Sequence, residues 1–227
     1  MIDIHSHILP GIDDGSRNLK SSVEMALIAY EDGIDKMIAT PHFTEKISKE
    51  EIVEKVGFFQ AELDSKKIGL KIFPGAEIPF DLLMTGREPV TLAGSEYILV
   101  EFLPCDIPDS AEKKFQELLQ SGYKIIIAHP ERNIVFMEKF AVLKNLLMPG
   151  VYLQVTAMSL KGSFGSSIRN FSMKLLKKNL ISFFGSDCHE PYFRIPKLSD
   201  LLEISDNKKI KNKIEIILNE KPVKIIS

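Results

Sequence analysis

The chain has 227 residues, 44% of them hydrophobic and 26% charged, with a formal net charge of −2. That length and balance suit a soluble globular chain with a large core, and a barrel of this size needs no division into domains. The near-neutral charge excludes the basic footprint of a nucleic-acid binder, no apolar run approaches the roughly 20 residues of a membrane span, and the two cysteines make no disulfide framework.

The first β-type run covers residues 1–5 (MIDIH), which lack the basic and apolar regions of a secretory signal, so a cytoplasmic location is expected. A helix is predicted over 22–32, with Val23, Ala26, Leu27 and Tyr30 on one stripe and Gly33 stopping it. A strand over 36–40 precedes a helix over 48–67, where Ser48 and Glu51 have the spacing of a capping box. Further strands are predicted over 70–74, 97–102, 124–128, 151–157 and 180–185, several of them apolar on both faces. Helices are predicted over 110–120, ending at Ser121 and Gly122, and over 212–218. The lysine-rich tail from Asp206 to Ser227 sets Ile210, Ile214, Ile217 and Leu218 at helical spacing, which reads as a packed terminal helix rather than a membrane anchor. This alternation predicts an α/β fold with a parallel sheet. Periodicity leaves open whether the strands form an open doubly wound sheet or a closed barrel. No linker, low-complexity tract or repeat divides the chain, so a single domain over 1–227 is expected.

The five histidines fall in a pattern. His5, His42 and His129 end a predicted strand or lie within two residues of its end, His7 follows His5 by two, and His189 follows the 180–185 run. Four carboxylates accompany them: Asp14 in GIDDG, Glu77 in FPGAE, Glu101 in YILVEF, and Asp187. In parallel α/β folds, strand ends open on a common cleft. Alternate residues of an extended chain point the same way, so His5 with His7, and Asp187 with His189, can reach one site. A lone His-x-His is more often a surface or core pair. Nine imidazoles and carboxylates gathered at strand ends point instead to Zn, Mn or Fe. Cys188 and Arg194 have the Cys-x5-Arg spacing of a thiol phosphatase. The intervening HEPYF has no glycine and contains a proline and two aromatics, so it does not make a phosphate cradle of backbone N–H groups.

These residues lie in MIDIHSHILPGIDDGS, ATPH, PGAEI, TLAGSEYILVEF, IIAHPER and GSDCH. Together the motifs resemble the polymerase-and-histidinol-phosphatase superfamily. Within it they are most similar to the bacterial manganese-dependent protein-tyrosine phosphatases of capsule and exopolysaccharide operons. The resemblance implies a distorted, TIM-like (β/α)7 barrel with three divalent metals at the C-terminal ends of the strands. It implies that His5, His7, Glu77 and Asp187 hold one metal. Glu77 would bridge to a second, completed by Glu101 and His129, and Asp14, His42 and His189 would take a third. Arg132 and Arg194 match arginines that family members use on phosphate. The implied cofactor is manganese, with Fe, Zn or Co compatible with the same ligands. The implied reaction is in-line attack of metal-bound hydroxide on phosphotyrosine, the partner being a phosphotyrosine protein such as a bacterial tyrosine kinase of polysaccharide export. The alternative is a small-metabolite phosphatase of the histidinol-phosphatase type, which DDGS and TLAGSEYILVEF match less well. A nuclease role lacks a basic stripe, and a degenerate scaffold would lack ligands, of which none is missing. Nothing in the residues singles out a general acid or an oligomeric state.

Overall fold

The computed structural model describes residues 1–226. In chain order the elements are β1 (Ile2–Ser6), α1 (Leu19–Glu31), β2 (Lys36–Ala39), α2 (Lys49–Ser65), β3 (Lys71–Pro74), β4 (Glu77–Pro79) and α3 (Phe80–Leu83). There follow β5 (Tyr97–Glu101), α4 (Ala111–Gln120), β6 (Lys124–Ala128), α5 (Ile134–Glu138), α6 (Phe140–Leu146) and β7 (Val151–Thr156). The chain ends with α7 (Ala157–Lys161), α8 (Ser166–Lys177), β8 (Ile181–Gly185) and α9 (Lys208–Asn219).

The strands form two parallel sheets, ordered β1-β2-β3 and β4-β5-β6-β7-β8. Both seams between them are joined. Ser6 bridges to Cys188, and His42 bridges to Glu77. A distorted barrel results, as the resemblance implies, and not an open sheet.

The strand expected over 70–74 is one half of a broken pair. β3 pairs with β2 and β4 with β5, the chain stepping across at Gly75 and Ala76. A Cβ on Gly75 would come within 2.8 Å of Ile38 Cγ2 and 2.9 Å of Leu92 Cδ2, so the step needs glycine. Counting the broken pair once leaves the seven strand positions expected.

Period-two alternation then positions the site. On β5, Tyr97 and Leu99 face the same side as Glu101, and on β7, Tyr152 faces the same side as Gln154. Tyr97, Leu99 and Tyr152 pack with Ile4, Ile38 and Phe183 in an interior cluster. The alternate residues, such as Ile98 and Ile127, join the larger layer beneath the helices. Each large apolar side chain buried this way contributes roughly 1.5–3 kcal/mol. The interior is therefore apolar towards the strands' N-terminal ends and polar towards their C-terminal ends.

Several helices match expectation. Ser48 caps α2, its Oγ accepting from the Glu51 N–H at 3.0 Å. Ile214, Ile217 and Leu218 of α9 are buried, which makes the tail a packed helix; Ser227 lies outside the described residues. The stripe assigned to α1 is rotated from the real one. Ser22, Met25, Ala26 and Ala29 are buried, while Leu27 and Tyr30 are largely exposed. Tyr30 instead lies over the backbone at Gly69, where a Cβ would meet its ring at 2.8 Å. α8 was not anticipated, because its buried Phe171, Leu175 and Leu176 are interrupted by polar residues and it opens without a capping side chain. No helix among the described residues is long and apolar enough to cross a membrane.

Candidate metal centre

All nine residues singled out in the sequence converge at the C-terminal ends of the strands. The pairing of β1 with β2 shifts register between Asp3 and Ser6. His5, within the shifted stretch, and His7, just past it, both reach the polar end of the interior, their Nε2 atoms 3.2 Å apart. Glu77, the first residue of β4, lies at the centre. Its Oε1 is 3.3 Å from His5 Nε2 and 2.7 Å from His129 Nε2, and its Oε2 is 3.3 Å from His7 Nε2 and 3.1 Å from His42 Nδ1. Asp187 Oδ1 lies 3.5 Å from both His5 Nε2 and His7 Nε2. Glu101 closes one side, 3.5 Å from His129 and 3.6 Å from His42. Asp14 forms the exposed rim, 3.5 Å from the Nε2 atoms of both His42 and His189.

The donors fall into four overlapping groups that could each hold a cation: His7, Asp14, His42 and His189; His5, His7 and Asp187; His5, Glu77 and His129; and His42, Glu77 and Glu101. The backs of the rings carry the stronger argument. His5 Nδ1 faces Gln154 Oε1 at 2.9 Å, and that oxygen also accepts from the His129 backbone N–H at 3.3 Å, which fixes it as the acceptor. His7 Nδ1 faces Asp13 Oδ2 at 2.7 Å, and His189 Nδ1 faces the Asp187 carbonyl at 3.1 Å. Each Nδ1 therefore donates outward and each Nε2 offers a lone pair inward. Lone pairs and carboxylate oxygens packed at these distances repel unless a cation lies among them. The donor set fits divalent metals.

The electrostatics agree. Burial alone would lower the His7 pKa, but the Asp13 hydrogen bond, Glu77 and Asp187 outweigh it and lift the ring to about 10. Burial likewise opposes ionisation of Asp13, yet His7 and the N–H groups of Gly15 and His42 hold it down to about 2. The centre favours positive charge, and without metal a proton on His7 supplies it. Burial and the neighbouring Glu77 push Glu101 up to about 7. Burial, helped by the Arg132 charge, lowers His129 to about 4, and burial with His7 lowers His189 to about 3, which keeps both rings neutral as ligands must be.

Asp187 opposes burial through Arg132, His5 and Arg194, which hold its pKa well below the usual range. Arg194 Nη2 lies 2.7 Å from its Oδ1, and Arg132 pairs with its Oδ2. The two arginines expected on phosphate are thus brought to the rim of the centre by one carboxylate. Each keeps a buried Nε–H with no hydrogen-bond partner among the described residues. Cys188 is fully buried, and burial with the nearby Asp3 pushes its thiol up, which removes it as a nucleophile.

Sequence reasoning missed Asp13 and Gln154. Asp13 stands next to Asp14 in GIDDG, a doubled acid that signals a second acceptor at the site. Gln154 gave no signal, being a single amide in an otherwise ordinary strand. The backbone at two site residues is also unusual, His129 having φ 30° and Asp187 φ 52°. Non-glycine residues rarely adopt this left-handed region.

Among known proteins, the chain is 39% identical over 196 residues to the tyrosine-protein phosphatase YwqE of Bacillus subtilis (strain 168), covering 83% of this chain and 77% of that protein. It is 27% identical over 240 residues to the tyrosine-protein phosphatase CpsB of Streptococcus pneumoniae, covering 100% of this chain and 98% of that one. A solved structure from work on YwqE and CpsB, there called unique metal-dependent tyrosine phosphatases, superposes with a TM-score of 0.92 at 33% identity, over 100% of this chain and 94% of that chain. An organophosphorus hydrolase shares the fold alone, with a TM-score of 0.56 at 13% identity over 100% of this chain and 92% of that chain. The family of capsular polysaccharide synthesis proteins CpsB/CapC matches residues 1–227, and the chain belongs to it.

Proposed function

We propose that this chain is a metal-dependent protein-tyrosine phosphatase of one domain, with His5, His7, Asp14, His42, Glu77, Glu101, His129, Asp187 and His189 as metal ligands. The observation that carries the reading is the set of outward-donating Nδ1 atoms, which leaves His5, His7 and His189 with inward lone pairs. Three divalent ions would be held by this donor set, manganese by family likeness, with Glu77 contributing to more than one group of donors. Bound there, the metals supply Lewis acidity and an activated water for attack at phosphorus.

The chain's own residues bind and orient the ester. Arg132 and Arg194, anchored by Asp187 and partly exposed, offer guanidinium charge to the nonbridging oxygens. Next to Asp14 and His189 opens a cleft of about 620 Å³, also lined by Arg17, Glu190, Tyr192 and Arg194, which leads to the rim of the centre. The loop carrying Tyr192 is closed at its base, where the His189 N–H donates to the Arg194 carbonyl at 2.9 Å. On this reading the substrate is a phosphotyrosine protein, and a tyrosine kinase of polysaccharide export would suit a capsule-synthesis family. Two free thiols, Cys105 exposed and Cys188 buried, suit a reducing, cytoplasmic compartment.

Steady-state kinetics of the metal-loaded enzyme separate this reading from a small-metabolite phosphatase. A kcat/KM for phosphotyrosine peptide well above that for histidinol phosphate is expected; the reverse order would overturn it.

A further inference from the structure

The lysines are unevenly distributed. Residues 174–178 and 208–224 contain nine lysines, two glutamates and no arginine or aspartate, in a chain whose total net charge is −2. The fold gathers much of this charge on one surface. α9 lies against β8 and the end of α8, where Lys213 Nζ donates to the Leu176 carbonyl at 2.8 Å and Lys221 Nζ to the Ile181 carbonyl at 3.3 Å. Ile181 begins β8, so this surface is at the N-terminal end of the strand, opposite the metal centre.

Between these elements runs a groove of about 270 Å³, lined by Ile181, Ile216 and Ile217 together with Lys209, Lys213 and Lys221. Ile216 is 44% exposed and nearby Val223 is 47% exposed. Burial, then Lys213 and Lys224, holds the Lys221 ammonium below its ordinary pKa, so like charges crowd there. Among the described residues, the ion pairs formed by lysine involve Lys66, Lys114, Lys124, Lys161 and Lys197, and none of the groove lysines.

We propose that this end of the barrel docks on an anionic lipid bilayer. Uncompensated ammonium groups attract acidic headgroups, and exposed isoleucine and valine between them suit the boundary with the acyl chains. Lysine stems can lie along that boundary while their charges reach the headgroups. The surface lacks what nucleic acid selects: no arginine fork and no aromatic platform stands in either segment. Docked this way, the metal centre faces away from the membrane.

The test is co-sedimentation of the full chain with vesicles of phosphatidylglycerol and phosphatidylcholine, against vesicles of phosphatidylcholine alone. Binding to the anionic vesicles only is expected, with the partition coefficient falling at least about tenfold at high salt. The triple variant K208E/K209E/K224E changes exposed lysines, and should lose binding by a similar factor while hydrolysing a small aryl phosphate at the parental rate. Where that variant fails to fold, the salt dependence of the parental chain decides. No binding to anionic vesicles at low salt, binding indifferent to salt and charge reversal, or tighter binding to polyglutamate than to vesicles would each overturn the proposal.

Discussion

Gln154 is uncharged and is not among the proposed metal ligands, yet its amide oxygen orients His5 and meets the backbone of His129. Replacing it with leucine leaves the His5 Nδ1–H without an acceptor and frees the ring to turn. Loss of such an outer partner typically weakens metal binding or activity by about 10–100-fold. Metal titration of Gln154→Leu should show that loss with the circular dichroism spectrum retained; unchanged affinity would mean that the amide does not position the ring. Cys188 offers the opposite contrast. Cys188→Ser should keep most of the phosphatase activity and His5→Ala should lose it, since a buried thiol with a raised pKa supplies no thiolate. Assays of both variants side by side check this, and loss in the cysteine variant alone would restore thiol chemistry. The nine candidate ligands were legible because histidines and acids at strand ends form a pattern visible in one dimension. Gln154 was not, because its role depends on His5, which is 149 residues away in sequence. Nor does the sequence disclose the left-handed backbone at His129 and Asp187, a conformation costing roughly 1–3 kcal/mol each that the surrounding contacts must sustain.

Elements differ in how openly they announce themselves. Strands such as β6 were read to the residue, since a run buried on both faces needs only apolar composition. The break between β3 and β4 was not, because it reflects a close approach to Ile38 and Leu92 rather than any local preference. On α1 the stripe was misassigned because Leu27 and Tyr30 are apolar by composition, whereas the small Ala26 and Ala29 allow the closer packing. At the other end of the chain, α7 is tied to the turn at Ser199–Glu203 by the Lys161–Asp200 ion pair. The Lys161 partner outweighs the opposing effect of burial and lowers the Asp200 pKa. A lowered carboxylate contributes stability that is present above its unfolded pKa and lost as pH falls through the folded value. Both side chains are partly exposed, so Lys161→Met should cost less than about 1 kcal/mol at neutral pH. Urea titrations should show that difference shrinking as pH drops below about 4; a difference that grows in acid would reverse the assignment.

At the scale of the molecule, the barrel separates two chemistries along its axis. Apolar side chains fill the end where the strands begin, and acids and imidazoles fill the end where they finish, with Leu99 to Glu101 and Tyr152 to Gln154 marking the change within single strands. Periodicity alone could not close the barrel, because closure depends on the Ser6–Cys188 and His42–Glu77 bridges between distant segments. Those same two bridges lie beside His5, His7, His42, Glu77 and Asp187, so the contacts that close the barrel also gather the site. In the proposed function the nine converging donors hold divalent metal for phosphotyrosine hydrolysis. Metal analysis combined with phosphotyrosine-peptide hydrolysis, before and after chelation and again on adding manganese back, is the decisive measurement. Activity should disappear with the metal and return with manganese; full activity in metal-free protein would contradict a metal-dependent reaction.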